Sequence, residues 1–185
     1  SREPCILSGS LGFLVIYVDD ILCVGFSEDF GKKVHGLLAE HVPTKFTGAV
    51  DPVKGGRLKF VGRFIQRLPG DPRLFIFVEE TYLDGTFKEF QIGGTGKVRS
   101  SGISVPGIRA TLEGAGDSPF LSPEGHSRFR RALGKIAWLS QTLEYLHIFV
   151  CLLSTGQQAP QEVHEKGLRQ VLRFLYQDKN VGIQF

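Results

Sequence analysis

The chain has 185 residues, 42% of them hydrophobic and 22% charged. This ordinary globular balance excludes a disordered, collagen-like or wholly polar chain. The net charge of +3 is unevenly spread: Ser1 to Ser122 carry 14 cations against 14 acids, and Pro123 to Phe185 carry 8 against 5, so the excess lies in the last third.

Leu11 to Phe26 reads as two apolar, β-branched-rich runs separated by paired aspartates. The pattern predicts two strands, covered on both faces and joined in a tight hairpin. Ser27 then stands as a helix N-cap, with Phe30, Val34, Leu37, Leu38 and Val42 on one stripe and Pro43 ending the element. After a Gly/Pro loop over Asp51 to Gly56, Arg57 to Arg67 and Arg73 to Glu80 read as strands around the turn Pro69-Gly70-Asp71-Pro72. Glu79 to Phe90 reads as a helix with Leu83, Phe87 and Phe90 inward, although Gly85 inside it costs about 1 kcal/mol relative to alanine. Gly93 to Pro119, rich in Gly and Ser, reads as a linker or surface-hugging loop. Ser122-Pro123-Glu124 starts a helix whose inward face is Phe129, Leu133, Ile136, Ala137, Ser140 and Leu143. Two further helices are expected over Tyr145 to Leu153 and Gln161 to Tyr176. The fold class is therefore α+β: an antiparallel sheet with packed helices over residues 1–92, a Gly/Ser-rich linker over 93–121 and a small helical bundle over 122–185.

Three cysteines with no CxxC spacing argue against both a disulfide framework and a zinc site, which fits a reducing, intracellular compartment. Nothing reads as a signal peptide, and no apolar run approaches the ~20 residues of a membrane helix, so no membrane partner is expected. Methionine is absent throughout, and the chain is expected to be a piece of a longer polypeptide.

Tyr17-Val18-Asp19-Asp20 is the feature that calls for chemistry. Adjacent carboxylates at a hairpin tip repel by about 3 kcal/mol at ~5 Å and an effective dielectric of ~20, and Asn-Gly makes a better two-residue turn. A divalent cation removes the repulsion, since Mg²⁺ is held by one or two carboxylates together with substrate phosphates. A polar turn between buried strands fits the same residues. The basic excess of the last third likewise fits either a face toward phosphates or a solvated helix surface.

The tetrapeptide between apolar strands resembles the palm-domain metal motif of reverse transcriptases, and the downstream residues resemble the copia-type LTR-retrotransposon branch. Four more stretches match in order: the helix Ser27 to Val42; Phe60-Val61-Gly62 in the strand Leu58 to Gln66; Tyr82, Leu83, Phe87 and Phe90; and Phe129 to Leu139, continuing into Leu152-Leu153-Ser154, His164 and Leu168 to Tyr176. The resemblance covers nearly the whole chain except about Gly93 to Ser118.

It implies an antiparallel palm-like sheet followed by a helical thumb, with Mg²⁺ (or Mn²⁺) as cofactor and an RNA or DNA primer-template as partner. Asp19 would be the principal metal ligand and Asp20 its carboxylate partner. Tyr17 and Val18 would line the floor where primer meets template. Phe60, Val61 and Gly62 would position the primer, the glycine admitting a close backbone approach within a strand. Arg128, Arg131, Lys135, Arg169 and Arg173 would contact phosphates independently of sequence. Lys45 is a candidate for the lysine near the incoming triphosphate, or simply a solvated lysine. His164 is expected at a helix terminus or in packing, and Trp138 in the core. In the family a third aspartate and the nucleotide-binding fingers lie upstream of these motifs. The only acid before Tyr17 is Glu3, outside any matching motif. Leu143-Glu144-Tyr145-Leu146-His147 and Glu165 also depart from the family's pattern. The expectation is a lower palm and thumb, inactive alone and completed by an upstream palm-fingers half. The alternative is a non-catalytic remnant that binds nucleic acid or protein.

Overall fold

A computed structural model describes residues 5–27, 29–93, 103–177 and 183–184. The class is α+β, with two antiparallel sheets and helices. By its internal contacts the chain divides into two compact units, Ser1–Phe77 with Gln184–Phe185, and Val78–Ile183.

In the first unit, β1 (Ile6–Gly9), β2 (Gly12–Tyr17) and β3 (Asp20–Gly25) form an antiparallel meander in that order. The register pairs Tyr17 with Asp20 and Gly12 with Gly25, leaving Val18-Asp19 as a two-residue loop. The glycine pair explains how α1 (Asp29–Ala39) docks on β3. A Cβ added at Gly25 would stand 2.4 Å from the Phe30 ring, and one at Gly12 would stand 3.1 Å from it. Two cross-strand partners without side chains thus seat the aromatic that anchors the helix. After Ala39 the amides of His41 and Val42 donate to the Leu38 carbonyl, and Pro43 follows. The second sheet runs β4 (Ala49–Asp51), β5 (Gly55–Phe60), β6 (Arg63–Arg67), β7 (Phe75–Val78) and β8 (Ile183–Gln184), in that order. Arg57 lies 3.6 Å over the Phe64 ring, which stacks on Phe77.

Two expectations for this unit are corrected. Arg57 to Arg67 is not one strand: it folds back at Val61-Gly62 so that Phe60 pairs with Arg63. Gly62 has φ 72°, so its glycine serves a reverse turn rather than close approach along a strand. Apolar content on both sides does not distinguish a long strand from a hairpin. The strands around the aspartates are not covered on both faces either, since Phe13, Tyr17, Ile21 and Val24 are exposed.

The second unit holds the core. A 3₁₀ turn over Glu80–Leu83 leads into α2 (Asp84–Glu89), with Leu83, Phe87 and Phe90 buried as their spacing predicts. The stretch read as a linker carries α3 (Val105–Leu112), capped by the Ser104 hydroxyl accepting from the Gly107 amide. Val105, Ile108 and Leu112 supply the apolar spacing that outweighs the Gly/Ser composition, and Ile108 is fully buried. Residues 94–102 of that stretch lie outside the described residues. Ser122 caps α4 (Pro123–Ser140) through the Gly125 amide, with Pro123 in the first turn. Then come α5 (His147–Ser154) and α6 (Glu162–Gln177). The starts of α4 and α6 are tied together, because Leu121 donates to the Pro160 carbonyl and Glu162 to the Pro119 carbonyl. Phe129, Ile136, Leu146, Leu153, Leu168 and Leu172 fill the middle. Among the described residues, no helix is long and apolar enough to cross a membrane.

Candidate functional site

Antiparallel pairing of two β-branched-rich strands puts Tyr17 and Asp20 opposite each other and pushes Val18 and Asp19 out at the tip. Val18 is 82% exposed and has φ 51°, while Asp19 does not share the positive φ. A β-branched residue in that conformation costs on the order of 1–2 kcal/mol. Asp19 is exposed and has no hydrogen-bond or ion-pair partner among the described residues. Asp20 is also exposed, and its Oδ2 accepts from the Val61 amide at 2.9 Å.

That bond brings the second hairpin tip to the first. Phe60 ends β5 half-buried, Val61 has φ 49° and Gly62 completes the loop. The fold thus brings Asp20 to one residue of the Phe60-Val61-Gly62 group. Lys45 is exposed in the segment between α1 and β4. Two carboxylates at a solvent-facing tip are the hard oxygen donors that suit Mg²⁺ or Mn²⁺. Among the described residues no group of three or more His, Cys, Asp or Glu side chains gathers to complete such a site.

In the helical unit the five cations proposed for phosphate contact separate. Arg128 and Arg169 turn inward, each 2.7 Å from a different oxygen of the buried Glu165. Both guanidinium groups lie over the Phe90 ring, at 5.1 and 5.3 Å, and Arg169 also donates to the Phe90 carbonyl. Their charge is spent on the fold. Arg131 pairs with Glu89 at the surface. Lys135 is half-buried with its ammonium 5.8 Å from the Tyr82 ring, and Arg173 is exposed on α6.

The chain matches no family model, no curated protein and no solved structure.

Glu165 is the residue whose importance the sequence reading passed over. Burial alone would raise its carboxyl, but hydrogen bonds and charge from Arg128 and Arg169 bring it below the ordinary range. The signal was present in the spacing: Glu165, Leu168 and Leu172 share one helical face, and Arg169 follows at i+4. His164 is buried beside it and accepts the Gln161 amide at Nδ1, at the start of α6, with its ring edge-on to Phe129. Burial lowers its proton affinity. A Cβ added at Gly156 would stand 2.1 Å from that ring. These contacts are those of a packing residue.

Proposed function

We propose that this chain is the lower palm and thumb of a copia-type retrotransposon reverse transcriptase. The whole protein would add deoxynucleotides to a primer 3′-hydroxyl on an RNA or DNA template. The supporting observation is the hairpin tip itself, where an unpaired, exposed Asp19 stands beside a valine held in a left-handed conformation. A tip that only reversed the chain would do so without strain as Asn-Gly, and strain beside an unpaired acid is typical of sites kept for chemistry. The acidic pair would hold Mg²⁺ or Mn²⁺, which supplies the charge neutralisation that phosphoryl transfer needs. Tyr17 and Val18 would form the floor under the primer end, and Lys135 and Arg173 would be the thumb cations left for phosphates. The 185-residue chain alone is expected to extend no primer, because two carboxylates lack the third acid that the resemblance places upstream.

Mn²⁺ titration followed by NMR tests the reading. Paramagnetic broadening should centre on Tyr17 to Asp20 and vanish in Asp19→Asn. Broadening spread over other acids, or unchanged in that variant, would overturn it. Robust template-dependent extension by the chain alone would overturn the claim that the site is incomplete.

A second reading, a non-catalytic binding remnant, draws on the ion pairs that engage Arg128 and Arg169 with Glu165 and Arg131 with Glu89. Gel-shift titration with a primer-template duplex separates the two. The thumb reading expects affinity to fall steeply with salt and to drop again in Lys135→Ala and Arg173→Ala. Binding that ignores salt, or is absent, supports the remnant.

A further inference from the structure

The second sheet of the first unit carries cations and aromatic rings together on one side, away from the hairpin tips. Cross-strand partners share a face, so the pairs Arg57 with Gln66 and Lys59 with Phe64 point to the same side of β5 and β6. Phe64 stacks on Phe77 with ring centroids 5.6 Å apart, which puts Phe77 of β7 on that side too. Phe75 shares it by alternation along the strand. The Arg57 guanidinium lies over both stacked rings, 3.6 Å from the centre of Phe64 and 4.9 Å from that of Phe77. The Lys59 ammonium is 5.6 Å from the Phe64 centre. Arg57 and Lys59 are exposed, and the three rings are half-buried.

The neighbouring acids leave this side positive. The Arg57 guanidinium has no hydrogen bond or ion pair among the described residues. Asp51, on the same side, is turned to its own loop, where Oδ1 accepts the Val53 and Lys54 amides at 2.7 and 2.6 Å. Asp71 is engaged by Arg73, whose guanidinium lies 5.8 Å over Phe75. A carboxylate or a free phosphate would meet the charge and leave the aromatic floor idle. A nucleotide uses both, because its base stacks on an arginine plane or an aromatic ring while its phosphate meets the cations. A single strand presents those base faces, whereas a duplex hides them in its own stack.

We infer that this side of β5, β6 and β7 binds single-stranded nucleic acid without regard to sequence. Arg57 stacks a base above the Phe64–Phe77 pair, Lys59 meets phosphate and Phe75 extends the platform. The inference does not rest on the polymerase reading, since it invokes neither the acidic tip nor a metal.

Fluorescence anisotropy of a labelled oligothymidine of about twelve nucleotides, titrated with the full 185-residue chain, tests it. Affinity should fall with salt, and the log–log slope should drop by about 0.7 in each of Arg57→Ala and Lys59→Ala. Arg57→Ala should weaken binding by about tenfold or more, the loss of one stacked base. Arg57→Lys should keep the salt slope yet lose at least about threefold in affinity, because an ammonium offers no plane. In the wild type, NMR shifts on adding the same strand should centre on Arg57, Lys59, Phe64 and Phe77, a readout that needs no variant to fold. Absent binding, shifts centred elsewhere, or an Arg57→Ala chain that binds like wild type would overturn the inference. Equal affinity for an abasic strand would reduce the surface to a phosphate site, and equal affinity for polyglutamate to a general polyanion surface. Either result ends the single-strand assignment. The double variant Lys135→Ala, Arg173→Ala should bind the strand unchanged, and lost affinity there would move the strand to the helical unit. Failure of all these expectations leaves the Mn²⁺ titration and the duplex gel shift to decide the polymerase reading on their own.

Discussion

Val18, Glu165 and His164 each hold a conformation or a charge state that only their surroundings allow. Replacing Val18 by glycine removes the left-handed strain, and we expect stabilisation of the β2–β3 hairpin by about 0.5–1 kcal/mol. Amide exchange in those two strands measures it, and faster exchange would show that no strain is stored at the tip. Glu165→Leu leaves Arg128 and Arg169 facing an apolar group, with an expected loss of about 1–3 kcal/mol in urea denaturation, given that both arginines stay about one-third exposed. Acid acts on the same group. The folded carboxyl lies below its ordinary 4.5, so the unfolded chain takes up the proton first and the contribution of Glu165 is lost as pH falls below about 5. For His164 the folded value lies below the ordinary 6.5, so its stabilising effect is present above that pH and fades as pH falls through it. A pH scan from 7 to 5.5 should show falling stability, and His164→Asn, whose side-chain oxygen can still accept the Gln161 amide, should flatten that slope. An equal slope in the variant would assign the effect to other groups.

Two helices followed the sequence closely, whereas in the stripe expected for α1 Leu37 and Val42 are exposed. Ser122-Pro123 and the stripe through Phe129, Leu133 and Ile136 specified α4, and Leu168, Leu172 and Leu175 specified α6, because burying an amphipathic stripe needs no long-range information. The period was silent at Val61-Gly62, where apolar residues continue through a turn and only the sign of φ betrays it. Composition was misleading over Ser104 to Leu112, where Gly and Ser concealed three well-spaced apolar residues. The docking of α1 belongs to this scale. Gly25→Ala should force the Phe30 ring off the sheet, with an expected cost of about 1–3 kcal/mol and loss of exchange protection throughout α1. Protection unchanged from wild type would mean that the helix is held elsewhere.

Across the whole molecule the apolar core is unevenly placed. Among the described residues, every buried apolar side chain lies between Leu83 and Leu175, whereas Phe13, Tyr17, Val24 and Phe26 in the first unit are exposed. Opening free energy follows buried apolar contact. Amides of Leu133, Ile136, Leu168 and Leu172 should therefore exchange at least about a hundredfold more slowly than those of β2 and β3. Equal protection in the two units would show that the sheets draw their stability from something other than buried side chains.

The amino-acid order by itself determined the α+β class, the starts of the long helices and the hairpin that carries Asp19 and Asp20, because caps, periods and short loops are local. Only the tertiary structure decided that Asp20 reaches Val61, that Arg128 and Arg169 turn inward to Glu165, and that Gly12 and Gly25 receive Phe30. Each of these joins residues remote in sequence, and a charged side chain carries no mark of whether its partner is solvent, a phosphate or an acid on another helix.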